Sequence, residues 1–219
     1  MSSYRIIQAG DSRSFPADHA FLQAAQPGGA AAVIVGSEAG AALRRLAQID
    51  ACPFVAIELG TECLGVHTGE SRGTEGSNVV GFARYRLGSA EPTPLVELVR
   101  QPATPDAVVQ AARAAFEAAG LVVAVCNDFP GRIVDRLIRP YFNAALRRLD
   151  EKLASADDLD KTLCLGLGYP EGPIALLERT GLVPHHDVSA ALYQALAQEP
   201  YAPARRAQVA KQRAMGGAV

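Results

Sequence analysis

The spacing of apolar residues changes character once along this chain, between Asn127 and Gly131. Before that point, short unbroken apolar runs recur: Tyr4 to Ala9 (YRIIQA), Ala31 to Val35 (AAVIV), Pro53 to Ile57 (PFVAI), Asn78 to Tyr85, Leu95 to Val99 and Leu121 to Cys126 (LVVAVC). Runs of this length and β-branched content predict strands, most of them buried on both faces. Ala17 to Ala25 and Glu38 to Gln48 carry Ala, Leu and Arg without interior proline and predict helices between the first strands. Thr104-Pro105-Asp106 predicts a helix start with Thr as N-cap and Pro in the first turn; Val108, Val109, Ala112 and Phe116 share one face, and Gly120 stops the helix. Strand alternating with helix implies a mainly parallel sheet with right-handed crossovers. Residues 59–77, rich in Gly, Thr and Ser, predict a loop carrying at most one short helix.

After Gly131 only helical spacing remains. Val134, Leu137, Ile138, Tyr141, Phe142, Ala145, Leu146, Leu149 and Leu153 recur every three to four residues and predict a long helix with a wide apolar stripe, kinked at Pro140. Ser155-x-x-Asp158 resembles a capping box opening a helix that ends near Gly166, and further helices are expected at Pro173 to Thr180 and His186 to Gln198. The basic, then small-residue-rich, tail from Ala204 is expected to fray. The fold class read from this pattern is an α/β N-terminal domain over residues 1–126, with a mainly parallel sheet, followed by an all-α C-terminal domain over 127–219.

Composition narrows the function classes. A chain of 219 residues with 49% hydrophobic and 20% charged residues has the makings of one or two packed domains. A net charge of -2 argues against nucleic acid as partner. No apolar run approaches the roughly 18 residues of a membrane helix, and MSSYRIIQAG lacks a leader pattern, so a cytoplasmic location and no membrane partner are expected. Cys52, Cys63, Cys126 and Cys164 show no C-x-x-C spacing and read as reduced thiols.

A dinucleotide site needs G-x-G-x-x-G straight after its first strand, because the pyrophosphate lies against bare backbone amides. Here that strand is followed by Ala9-Gly10-Asp11-Ser12-Arg13-Ser14-Phe15-Pro16, with a single glycine. Gly36-Ser37-Glu38-Ala39-Gly40 can form an anion-binding turn, though a plain strand-to-helix connection is favoured and Glu38 would repel phosphate. Cys63 and His67, four apart, would share a helix face and make a thiolate pair, but the segment reads as loop and no third group orients them. His185-His186-Asp187 lacks the further ligands of a metal site and reads as a surface helix start.

Asp128-Phe129-Pro130-Gly131-Arg132-Ile133-Val134-Asp135-Arg136, followed by Leu165-Gly166-Leu167-Gly168-Tyr169-Pro170-Glu171-Gly172-Pro173, resembles the C-terminal domain of the 3-hydroxyacyl-CoA dehydrogenases, with its D-x-P-G-F-I-V-N-R turn and L-G-x-G-Y-P-x-G-P loop. The resemblance implies dimerising helices and, before them, a Rossmann-like domain, here reduced and without its fingerprint. The whole looks like the second half of long phenylacetate-pathway members. The family's catalytic histidine lies in G-L-H-F-F-N-P; Val80-Gly81-Phe82-Ala83-Arg84 places Ala83 there. Its partner glutamate, in M-K-L-V-E-V, corresponds to Glu97. The serine of T-S-S-L falls at Thr61-Glu62-Cys63-Leu64, and the substrate-holding asparagine becomes Asp135.

Glu97 and Asp135 are therefore the residual catalytic positions, with no cofactor-binding residues and no metal. Two readings follow. One is a relative without full catalytic and NAD-binding machinery, a homodimer through its C-terminal helices that binds acyl-CoA or a full-length dehydrogenase. The other is an active NAD-dependent (S)-3-hydroxyacyl-CoA dehydrogenase.

Overall fold

The computed structural model describes residues 3–217. They form two compact units, residues 3–86 with Pro92–Ile133, and Leu87–Glu91 with residues 134–217.

The first unit is built on one six-stranded sheet: β1 (Tyr4–Gln8), β2 (Ala31–Val35), β3 (Val55–Glu58), β4 (Val79–Arg84), β5 (Leu95–Arg100) and β6 (Val122–Asn127), in that spatial order. β1 to β4 are parallel, β5 runs antiparallel to β4, and β6 is parallel to β5. Because successive side chains point to opposite faces, the continuous apolar runs feed two cores. Ala31, Val33 and Val35 join Tyr4, Phe15, Phe21, Phe82 and Phe116, whereas Ala32 and Ile34 join Leu43, Leu59 and Leu64. Phe21 and Phe116 stack at 4.5 Å between centroids, and each fully buried aromatic contributes roughly 1.5–3 kcal/mol.

Four helices connect these strands: α1 (Ala20–Gln23), α2 (Ala39–Arg45), α3 (Gly65–Thr68) and α4 (Asp106–Glu117). α1 is one turn rather than the expected Ala17 to Ala25, capped by His19, whose Nδ1 accepts from the Phe21 amide at 3.0 Å. The strand order advances in one direction while Phe21 packs on one face of the sheet and α2 on the other. The first two crossovers therefore have opposite hands, and the expectation of uniform right-handedness is corrected; a one-turn helix imposes little of the twist that selects the hand. α4 starts one residue later than expected. Pro105 is its N-cap, since the Thr104 hydroxyl accepts from the Gln101 amide and so closes the preceding turn.

The helical unit comprises α5 (Val134–Asp150), α6 (Ala156–Leu167), α7 (Pro173–Thr180), α8 (Leu182–Leu196) and α9 (Arg205–Gly216). α5 runs unbroken through Pro140. Its buried side overlaps the apolar stripe only in part: Phe142 and Leu146 of the stripe are buried, but so are Asp135, Arg139 and Asn143, while Leu137 is 69% exposed. α6 keeps half a capping box, with Ser155 Oγ accepting from the Asp158 amide at 3.1 Å and the Asp158 carboxylate accepting the Ser155 hydroxyl rather than reaching a backbone amide. In the glycine-proline loop, Gly172 is required because a Cβ there would lie 2.2 Å from Asp160, whose carboxylate accepts the Ile174 and Ala175 amides at the start of α7. The tail does not fray at Ala204: Arg205 and Arg206 reach Asp150, and Lys211 reaches Asp187, pinning α9. The unit boundary lies at Ile133, beyond Cys126, and Leu87–Glu91 joins the helical unit through the Ser89 amide, which donates to Thr180 O at 3.0 Å.

Candidate functional site

Antiparallel pairing of β4 with β5 sets Ala83 directly opposite Glu97. Cross-strand partners project to the same face, so a side chain longer than alanine at 83 would lie beside this carboxylate. Glu97 is 2% exposed and is held from the turn after β6: Arg132 Nε donates to Oε2 at 3.1 Å and the Ile133 amide to Oε1 at 2.8 Å. Arg132 also donates from Nη1 to Gly60 O at 2.8 Å and sits at φ +51°, a left-handed conformation forced by the turn. A guanidinium carries only donors, so it presents no lone pair that could take a proton from a substrate. Burial and the Glu97 charge, partly offset by Arg132, push the nearby Cys126 thiol up to about 11.

At the C-terminal ends of β1 to β3, a cavity of about 250 Å³ is lined by Asp11, Arg13, Ser37, Glu58, Glu62 and His67, among others. The first amides of the Gly36–Gly40 turn are already used: Ser37 donates to Asp11 O, Glu38 to Ala9 O and Ala39 to Gly36 O. His67 pairs with Glu62 through Nε2 at 3.3 Å, and its ring packs on the bare Cα of Gly40. It makes no pair with Cys63, whose thiol is pushed up to about 11 by burial, then by the charges of Asp128 and Glu70 and a hydrogen bond to Asp128. The thiolate reading is thereby removed. Asp128 instead accepts the Leu64 and Gly65 amides at 2.7 Å each and holds the start of α3.

Asp135 lies in the helical unit and is committed there. Arg139, one turn along α5 and 1% exposed, donates from Nε to Asp135 Oδ1 at 2.8 Å and from Nη1 to His185 Nδ1 at 3.1 Å. His185 Nε2 then donates to Asn143 Oδ1 at 3.0 Å, and the Asn143 amide nitrogen reaches Pro200 O at 3.1 Å and Ser189 Oγ at 3.4 Å. Since guanidinium only donates, Nδ1 is the bare nitrogen and Nε2 carries the hydrogen. Burial, reinforced by the Arg139 charge, lowers the His185 pKa to about 3. The expected surface helix start at His185-His186-Asp187 is corrected: α8 begins at Leu182 and His185 is buried within it. Among the described residues no group of three or more His, Cys, Asp and Glu is placed to hold a metal, and no helix is long and apolar enough to cross a membrane.

Residues 131–218 match the family described as 3-hydroxyacyl-CoA dehydrogenase, C-terminal domain. The helical part of the chain is thus similar to the C-terminal domain of the 3-hydroxyacyl-CoA dehydrogenases. It is 36% identical over 109 residues to a 3-hydroxybutyryl-CoA dehydrogenase of Bradyrhizobium diazoefficiens, covering 50% of this chain and 37% of that protein. It is 39% identical over 88 residues to the human mitochondrial hydroxyacyl-coenzyme A dehydrogenase, covering 40% of this chain and 28% of that one. The matched stretch thus spans well under half of either relative. The fold is similar to the crystal structure of (S)-3-hydroxybutyryl-CoA dehydrogenase from Ralstonia eutropha, with TM-score 0.67, 26% identity, and coverage of 86% of this chain and 66% of that one. For the 3-hydroxybutyryl-CoA dehydrogenase of Escherichia coli the TM-score is 0.69 at 26% identity, covering 87% of this chain and 40% of that one.

Against the 3-hydroxyacyl-CoA dehydrogenase motifs, Glu97 and Asp135 each have an arginine partner within their own unit, Arg132 and Arg139. Sequence reading missed both arginines and Glu58. Each left a trace: Arg132 stands where the motif D-x-P-G-F has phenylalanine, Arg139 interrupts the apolar stripe four residues after Asp135, and Glu58 ends an otherwise apolar run.

Proposed function

We propose that this chain is a non-catalytic member of the 3-hydroxyacyl-CoA dehydrogenase family, acting as a dimeric acyl-CoA-binding or accessory module. The observation that carries the reading is the Glu97–Arg132 pair opposite Ala83. Oxidation of a 3-hydroxyl needs a base to take the hydroxyl proton as hydride departs. At this position the chain presents a methyl group and a carboxylate whose oxygens are already bonded to the Arg132 guanidinium and the Ile133 amide.

The nicotinamide cofactor that the family name implies does not fit the strand ends. A pyrophosphate needs free backbone amides and positive potential; here the Ser37, Glu38 and Ala39 amides are bonded internally, and three carboxylates, Asp11, Glu58 and Glu62, line the cavity beside Arg13 and His67. For the helical unit, Leu137, Leu153, Leu165 and Leu167 are all more than 60% exposed. Exposed leucines in such number on a small helical unit support an interface, and we assign it to a second copy of the chain.

The names of the matched relatives favour a second reading, an active NAD-dependent dehydrogenase of 3-hydroxyacyl-CoA. The two are separated by following NADH absorbance with acetoacetyl-CoA and purified protein. No turnover above buffer is expected, and steady oxidation of NADH proportional to protein concentration supports the second reading instead.

A further inference from the structure

The loops leaving β1 and β2 close around a carboxylate that belongs to the chain itself. Glu58, the last residue of β3, is buried. Its Oε2 accepts from the Ser12 hydroxyl and from the Gly36 amide at 2.7 Å each, and its Oε1 accepts from the Ser14 amide at 2.7 Å. Ser12 is fixed in turn, its Oγ accepting from the Phe15 amide at 2.8 Å. Gly36 presents its amide from φ +117°, where a Cβ would lie 2.2 Å from Ala9 O, so no other residue makes this approach. Two backbone amides and a hydroxyl converge at the C-terminal ends of parallel strands. That is the place, and the kind of donor set, that nucleotide-binding α/β sheets offer to a ligand's phosphate.

We propose that Glu58 is a built-in occupant of an anion cradle. The chain's own carboxylate takes the donors that a bound phosphate would take, so the unit completes its packing without a nucleotide and has none of these donors left to offer one. The inference rests on the preceding reading of this unit as a nucleotide-type sheet without its cofactor. It also explains an otherwise costly choice: a charged side chain at the end of an apolar strand is tolerated in a core only when its oxygens are fully engaged.

A cradle emptied of its carboxylate accepts a free anion. Glu58→Ala in the full chain, melted at neutral pH in sodium chloride, sodium acetate or sodium phosphate of equal ionic strength, tests this. In chloride the variant is expected to melt about 5 °C or more below the unsubstituted protein, since three buried donors lose their acceptor. Acetate or phosphate is expected to restore at least half of that deficit, measured against the unsubstituted protein in the same salt to remove general salting effects. Recovery in acetate alone describes a carboxylate-shaped cradle and recovery in phosphate a nucleotide-like one; either supports the proposal. An equal deficit in all three salts overturns it. If the variant does not fold in chloride, refolding yield is read instead: higher yield in acetate or phosphate supports the cradle, and equal yields overturn it. NADH titrated into the unsubstituted protein keeps the two inferences apart, because binding there refutes the absence of a cofactor while the salt comparison still judges the cradle.

Discussion

Acidification from pH 7 to 5 should weaken the helical unit, and His185 should be the main cause. Both ring nitrogens of the imidazole are engaged as a neutral ring engages them: Nδ1 accepts from Arg139 and Nε2 donates to Asn143, with the Phe142 ring edge-on beside it. Its folded pKa is about 3, against about 6.5 in an unfolded chain. Because the folded value is depressed, the unfolded state binds more protons between these limits. Stability is therefore complete above about pH 6.5 and is lost as pH falls toward 3. At pH 5 the unfolded imidazole is almost wholly protonated and the folded one is not, a gap of about 1.5 pH units, or about 2 kcal/mol. Asp187, whose pKa is lowered although burial opposes its bonds to Lys211 and His186, adds its own loss only at lower pH.

His185→Gln keeps an acceptor toward Arg139 and a donor toward Asn143 but does not titrate. Urea unfolding followed by helical circular dichroism at pH 7 and pH 5 should show the original protein losing about 2 kcal/mol more than the variant. His19, whose pKa is also lowered by burial and then by Arg84, is common to both proteins and cancels in the comparison. Equal losses, or a larger loss in the variant, would refute the assignment of a buried neutral imidazole.

Arg132→Met removes the cation from a buried carboxylate and should destabilise by about 3–5 kcal/mol, while Arg132→Met with Glu97→Leu should recover most of that; denaturant unfolding of both decides. Gly172→Ala drives a methyl into Asp160, the cap of α7, and should cost about 1–3 kcal/mol; a melting temperature unchanged within error would contradict the packing. Leu137→Glu with Leu165→Glu should convert a dimer to a monomer in light scattering at micromolar concentration, and a monomeric mass before substitution would remove the interface altogether.

The strands were legible because burial on both faces leaves unbroken apolar runs, as in Ala31 to Val35, which is fully buried along its length. Long helices were legible from spacing, but which side of α5 faces inward was not. Asp135, Arg139 and Asn143 are polar, and only the partners brought by α8 and by the segment near Pro200 make their burial affordable. For the candidate site, the pairing of Ala83 with Glu97 could be expected from the family motifs alone. That Arg132 would turn back onto Glu97, or that Glu58 would be wrapped by loops from residues 12 to 36, depends on contacts between segments far apart in sequence, which no local pattern encodes. The order of the tail depends on contacts of the same kind, since Asp150 and Asp187 reach α9 from other helices.

A chain that has the fold of the 3-hydroxyacyl-CoA dehydrogenases but, as proposed, not their redox chemistry should leave NADH without a site. Isothermal titration calorimetry of the intact protein with NADH and with acetoacetyl-CoA, run separately, tests it most directly. No binding heat is expected for NADH, with any binding confined to the CoA ester. Micromolar affinity for NADH, accompanied by its oxidation when acetoacetyl-CoA is added, would contradict it.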